Sequence, residues 1–90
     1  MGVSINIERG GAEISWDPGD YVGPVLVRAV NAENGDVGVA KSDNDGKAFL
    51  TWPEGTWTDH ITILADDEEN KHHGNGARVI DEGDITVTVA

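Results

Sequence analysis

Apolar and polar residues alternate along most of the chain, with the two-residue period of β-strands that bury one face. The alternation extends over residues 3–7, 12–16, 48–52, 61–65 and 85–89. In most of these segments the apolar side chains share one side, and Ser, Thr, Asn or charged side chains take the other. The pattern therefore predicts short strands with one dry face.

Residues 25–30 form a denser apolar run in which Arg28 is the only charged residue. We predict a strand there whose second face is partly solvated. Asn34-Gly35 follows, and this pair favours a tight β-hairpin because both residues tolerate positive φ. Apolar residues continue beyond it on the return strand.

Turn residues separate the strands about every ten positions, which is typical of an all-β sandwich. Residues 9–11, 17–20, 42–46 and 53–55 are rich in Pro, Gly, Asn or Asp. A single domain of about seven strands in two antiparallel sheets, without a significant helix, accommodates the whole chain of residues 1–90. The fold class predicted is thus all-β, an antiparallel two-sheet sandwich.

Eight residues fall at inward positions of this alternation and form the predicted core. They are Ile14, Trp16, Val27, Leu50, Trp52, Ile61, Ile63 and Val87. Indole side chains bury roughly 200 Å² or more each, so a chain with few other aromatic residues needs them inside. Trp57 lies in a turn region, and the pattern leaves its burial undecided.

Two fragments resemble bacterial immunoglobulin-like and fibronectin type III-like domains. Residues 11–18, Gly-Ala-Glu-Ile-Ser-Trp-Asp-Pro, are similar to the second strand of fibronectin type III modules. Residues 53–57, Pro-Glu-Gly-Thr-Trp, and then 61–66, Ile-Thr-Ile-Leu-Ala-Asp, resemble the entry of bacterial Ig-like modules into their sixth strand. The resemblance implies an Ig-like sandwich that serves as a spacer, adhesion or surface-display module, and it implies no activity.

The resemblance also marks two departures in this chain. Trp57 would take the place of the corner tyrosine, whose hydroxyl hydrogen-bonds the backbone. Asp59 and His60 look like a two-residue insertion before the alternation resumes. Both would alter the corner without altering the sandwich.

Charge restricts the partners of the protein. Seventeen Asp and Glu residues against six Lys and Arg give a formal net charge of −11. Nucleic acid and anionic membranes are therefore unfavourable partners, because both require cationic side chains. The chain has no cysteine, which excludes disulfides and thiolate metal sites.

Motifs for catalysis are not found, and we predict neither an enzyme nor a cofactor. Asp43 and Asp45 precede Gly46 as in calcium loops, but the spacing fails the EF-hand register. No metal site is predicted, and a weak calcium site that combines Asp43, Asp45, Asp66 and Asp67 stays as an alternative. The three histidines show no spacing typical of a zinc site.

The residues predicted to mediate interactions lie in two places. One is the long polar segment from 66 to about 84, oversized for a sandwich hairpin, which we interpret as a functional loop. The other is the N-terminal strand, whose open edge can add to a neighbouring sheet. The residues concerned are Lys71, His72, His73, Asn75, Val79 and Ile80 in the loop, and Val3 and Ile5 in the strand.

We expect a non-catalytic structural or interaction module on the outside of a larger assembly. The leading hypothesis is a phage virion decoration or tail-surface protein, possessing a protein partner such as a capsid and able to form homo-oligomers. A chain that starts with Met and shows no leader favours a virion surface. The alternative is a spacer or glycan-binding adhesion module from a secreted bacterial multidomain protein, which would be extracellular.

Overall fold

Seven strands form the structure, a computed structural model that describes residues 2–31, 35–66 and 78–90. The strands are β1 (Ser4–Glu8), β2 (Gly11–Ser15), β3 (Val25–Asn31), β4 (Gly35–Ser42), β5 (Lys47–Thr51), β6 (Gly55–Ala65) and β7 (Val79–Val89). The described residues contain no helix. The prediction of an all-β fold with seven strands is confirmed.

The strands form two sheets in which every pairing is antiparallel. The three-stranded sheet has the order β1-β2-β5, and the four-stranded sheet has the order β4-β3-β6-β7. Each sheet turns one face toward the other, and this arrangement explains the two-residue period of the sequence.

The core consists of the inward-facing residues of both sheets. All eight residues named from the sequence lie in it: Ile14, Trp16, Val27, Leu50, Trp52, Ile61, Ile63 and Val87. Complete burial of one such aliphatic side chain contributes about 1.5–3 kcal/mol. Trp57 is partly buried and packs against the edge of this cluster.

The last strand is longer than the sequence pattern predicts. The alternation indicated a strand at 85–89 after a long loop, but β7 begins at Val79, and the prediction that 79–84 belong to a loop is wrong. The register of β7 against β6 shifts between Ile63 and Leu64, which are opposite Asp81 and Val79. This bulge places one extra residue, Ile80, in β7 and interrupts the alternation.

A buried carboxylate occupies an inward position of β6. Asp59 is 2% exposed and accepts hydrogen bonds from Trp52 Nε1 at 2.7 Å and from Asn31 Nδ2 at 2.9 Å. Asp59 and His60 both pair regularly with β3 and β7, so the two residues that resemble an insertion lie within a continuous strand. Two donors offset part of the cost of removing the carboxylate from water.

A second buried carboxylate, Asp81, anchors the N-terminal segment to β7. Its oxygens accept from the backbone N–H of Gly2 at 2.9 and 3.2 Å, of Asp17 at 3.1 Å and of Glu82 at 2.9 Å. Gly83 permits the close approach, because a Cβ there would lie 2.9 Å from the backbone nitrogen of Val3. Asp81 thus joins three segments that are distant in the sequence.

The corner before β6 is closed by the indole of Trp57. Its Nε1 donates to the carbonyl of Pro53 at 2.9 Å. The contact has the same form as the backbone hydrogen bond of a corner tyrosine, with an N–H in place of the hydroxyl.

The hydrogen bond between Trp52 and Asp59 predicts a thermodynamic coupling. Asp59→Ala leaves the buried indole N–H without its acceptor, and we expect a loss of about 1–3 kcal/mol from that group alone. Trp52→Phe should therefore cost less in the Asp59→Ala background than in the wild type. Urea unfolding of the four proteins of this double-mutant cycle measures the difference. As a control, Asp84→Ala on the outer face should be additive with Trp52→Phe, and additivity of Asp59→Ala would contradict the prediction.

The anchor at Asp81 predicts local rather than global loosening when it is removed. Asp81→Ala removes the acceptor for the Gly2 and Asp17 amides, so we expect faster amide hydrogen exchange in β1. Exchange in β3 and β6 should change only as much as global stability does. Glu82→Gln, next in the strand but exposed, is the matched control. Uniform acceleration across all strands would show that Asp81 is not a local anchor.

Candidate functional site

An open groove lies where β7 begins and the β2–β3 connection passes beside it. We call it the β7 groove. Its volume is about 280 Å³, and it is lined by Pro18, Gly19, Asp20, Tyr21, Arg78, Val79 and Ile80. Two of the residues predicted to mediate interactions, Val79 and Ile80, are therefore part of its wall.

One wall of the groove is built by the β2–β3 connection. Asp17 accepts from the backbone N–H of Gly19 at 3.0 Å, an Asx-type turn that reverses the chain after β2. Tyr21 then folds back, and its hydroxyl donates to the carbonyl of Pro24 at 3.0 Å. The guanidinium of Arg78 lies over the Tyr21 ring, 5.0 Å from its centroid, in a cation–π contact.

Asn44 connects this wall of the groove to the core through two hydrogen bonds. Its Oδ1 accepts from Trp16 Nε1 at 2.9 Å, and its Nδ2 donates to the carbonyl of Tyr21 at 3.0 Å. Asn44 has a φ of 62°, a left-handed conformation that Asn tolerates better than most residues. Through Asn44, the buried Trp16 thus fixes the position of the Tyr21 backbone.

The two residues of the apolar pair Val79-Ile80 lie in different environments. Ile80 packs against the core, while Val79 is 46% exposed at the surface. Val22, next to Tyr21, is 94% exposed. Of these two exposed valines, only Val79 lines the groove, beside the Tyr21–Arg78 contact.

The other predicted interaction residues do not join this groove. Ile5 lies on β1, an edge strand, and Val3 directly precedes that strand; both are partly buried against the core. Lys71, His72, His73 and Asn75 lie outside the described residues. The prediction for those four stays a prediction.

Two residues of the calcium alternative, Asp45 and Asp66, have other partners in the structure. Asp45 accepts from the backbone N–H of Lys47 at 3.2 Å within its own turn, and Asp43 is exposed. Asp66 lies 3.9 Å from Lys41 Nζ, and Asp67 is outside the described residues. Within residues 2–31, 35–66 and 78–90 there is no group of three or more His, Cys, Asp or Glu that could hold a metal ion.

A charged cluster that sequence spacing did not indicate lies on the outer face of β6 and β7. His60 Nδ1 is 2.8 Å from Asp84 Oδ1, and His60 Nε2 is 3.3 Å from Glu82 Oε1. The hydrogen bond to Asp84, together with the negative charges of both carboxylates, raises the pKa of His60 above its ordinary value of 6.5, although partial burial opposes the shift. Cross-strand pairing of His60 with Asp84 is a signal visible only once the register is known.

No family model matches the chain, and no curated protein matches it. Among solved structures, the chain is similar to a Ruminococcus gnavus beta-glucuronidase in complex with uronic isofagomine, with a TM-score of 0.51 and 18% identity. That match covers 98% of this chain and 14% of the other, so the chain spans about one seventh of its length. A second structure of R. gnavus beta-glucuronidase aligns with a TM-score of 0.47 and 22% identity, over 98% of this chain and 15% of that one.

The likeness shows the fold and nothing finer. It supports a two-sheet antiparallel β structure consistent with an Ig-like sandwich. No helix in the described part of the chain is long and apolar enough to cross a membrane.

The His60 cluster predicts a pH dependence with a definite sign. Because folding raises the pKa of His60, its interaction with Asp84 stabilises the fold fully below pH 6.5 and is lost as the pH rises through the raised value. The contribution is small, since the groups are largely exposed to solvent. NMR titration of the imidazole should give a pKa above 6.5 in the wild type and a lower one in Asp84→Asn. His60 titrating at or below the ordinary value in the wild type would contradict the geometry.

Proposed function

We propose that the protein is a non-catalytic interaction module on the outside of a larger assembly, most specifically a phage virion decoration or tail-surface protein. The observation that carries the proposal is the β7 groove, which is lined by Tyr21 and by the exposed side chain of Val79. Aliphatic and aromatic side chains together in an exposed groove are typical of surfaces that bind another protein.

Multivalent attachment is the mechanism we propose. A groove of this size buries too little surface to hold one copy tightly alone. Many copies on a repeating lattice would each add a small contact area, and binding to the assembled state would stabilise that state. The acidic surface would keep unbound copies soluble and apart.

The strand order supports membership of the bacterial or phage Ig-like, fibronectin type III-like class within this proposal. Constant-type Ig domains divide seven strands into sheets ABED and CFG. In the same lettering, β1, β2 and β5 correspond to A, B and E, and β3, β6 and β7 correspond to C, F and G. Only the fourth strand differs, because β4 pairs with β3 and so belongs to the other sheet. The Trp57 corner contact agrees with the same class.

A second candidate function is a spacer or glycan-binding module of a secreted bacterial multidomain protein. The similarity of nearly the whole chain to 14% of a beta-glucuronidase chain favours it, because there a sandwich of this kind is one part of a larger protein. Of the three tryptophans, Trp16 and Trp52 are buried in the core. Glycan stacking would therefore depend on Trp57, and quenching of its fluorescence by polysaccharides tests this role.

Binding to the virion tests the leading proposal. We expect the purified protein to co-sediment with particles of the virus that encodes it, and Val79→Asp to weaken this binding by about tenfold or more, because it places a charge in the groove. Phe49→Asp is the matched control, since Phe49 is exposed to nearly the same extent, 45% against 46%, on the other sheet. A folded protein that binds no particle, encoded within a longer reading frame with a leader, would overturn the virion proposal in favour of the second.

A further inference from the structure

The outer face of the four-stranded sheet contains an aliphatic row at the end where β7 begins. Leu26 of β3 is directly opposite Leu64 of β6, and Leu64 is directly opposite Val79 of β7. Directly opposed residues of antiparallel strands share a face. We call Leu26, Leu64 and Val79 the outer aliphatic row, and its third member also lines the β7 groove.

Outward positions elsewhere on β6 and β7 are occupied by polar residues. At the opposite end, β6 and β7 carry threonines at their outward positions, Thr56 beside Thr88 and Thr58 beside Thr86. Threonine suits a solvated strand as well as leucine or valine does, because it is β-branched and polar. Leucine in place of threonine therefore adds an aliphatic surface without any gain to the core.

The row lies beside acidic groups on one edge. Thr62 separates it from His60, and Glu82 and Asp84 follow Val79 on the outer side of β7. Toward the β4 edge the charges are cationic: Lys41 is opposite Leu26 and lies 3.9 Å from Asp66, and exposed Arg28 is directly opposite Thr62 on the same face. An aliphatic centre with an acidic β7 edge is complementary to an aliphatic surface whose Lys or Arg side chains face that edge.

Two other occupants fit less well. A second copy of this chain also carries a net charge of −11, so two copies repel each other overall. The chain's own residues 67–77 contain one apolar side chain, Ala77, and so offer little to cover three aliphatic residues.

We propose that the outer aliphatic row docks a protein partner whose contact surface has aliphatic side chains at its centre and Lys or Arg facing Glu82 and Asp84. This inference deepens the proposed function and rests on it, because it names the surface and the chemistry of the partner. The β7 groove then forms the edge of a larger contact that continues across β6 to β3.

A designed peptide probes the site without knowledge of the natural partner. A short peptide of alternating valine and lysine presents one aliphatic face and cationic side chains, and one of alternating serine and lysine presents the charge alone. By NMR of the full chain, we expect the valine–lysine peptide to shift resonances of Leu26, Leu64 and Val79 and the serine–lysine peptide to bind about tenfold more weakly or not at all. Equal binding of both peptides, or shifts confined to the three-stranded sheet, would overturn the proposal.

Variants then locate the contact. Leu26→Thr with Leu64→Thr should weaken binding of the valine–lysine peptide by about tenfold. The fold should stay intact, because both residues are at outer strand positions, where threonine is favourable. Phe49→Thr on the other sheet should leave binding unchanged. Should the double variant unfold, Val79→Thr alone carries the test, with an expected loss of several-fold. Concentration-dependent dimerisation of the wild type that these substitutions abolish would identify a second copy as the occupant and overturn the proposal.

The outcomes separate this inference from the proposed function. Virion binding that survives Leu26→Thr with Leu64→Thr would overturn the docking surface and leave the function standing. Peptide binding at the row by a protein that binds no virion would overturn the function and leave the docking chemistry standing.

Discussion

Two carboxylates buried between the sheets constrain how the sandwich closes. Asp59 belongs to the four-stranded sheet and accepts from Trp52, which directly follows the last strand of the three-stranded sheet. Asp81 lies in β7 and accepts backbone N–H groups from the segments that flank β1 and β2. A carboxylate without donors is costly to bury, so Asp59 and Asp81 must keep their hydrogen-bond donors. These bonds fix the position of one sheet relative to the other. Apolar packing supplies most of the stability, whereas these bonds specify the alignment.

The inner faces could be predicted from the sequence because their signal is local. Ile14, Ile61 and Val87 belong to runs whose period is two, and that period alone assigns them inside. The start of β7 could not be predicted in this way. Asp81 is an acidic residue at an inward position and Ile80 adds a residue to the strand, so residues 79–84 read as a polar loop. The likeness of Asp59-His60 to an insertion has the same cause, a carboxylate where an apolar residue is usual.

The sequence predicts only part of the candidate site. Val79 and Ile80 can be predicted because an apolar pair within a polar segment needs a partner. Tyr21 and Arg78, which meet across more than fifty residues of chain, give no sequence signal. The same holds for the aliphatic row, since Leu26, Leu64 and Val79 become neighbours only through the register of three strands. Long-range pairing, and not residue type, limits what a single sequence reveals here.

The extra residue in β7 separates the packing of the interior from the composition of the outer face. Val79 is opposite Leu64 on the outer face, while Ile80 packs against the core and Asp81 is buried. Deletion of Ile80 would restore the regular alternation and leave Val79 opposite Leu64, because a bulge adds a residue without changing the pairing on either side of it. The interior beside Asp81 could therefore gain or lose an aliphatic side chain through a three-nucleotide insertion or deletion, with the exposed valine unchanged. Such a scaffold can adjust its packing and its outer surface separately.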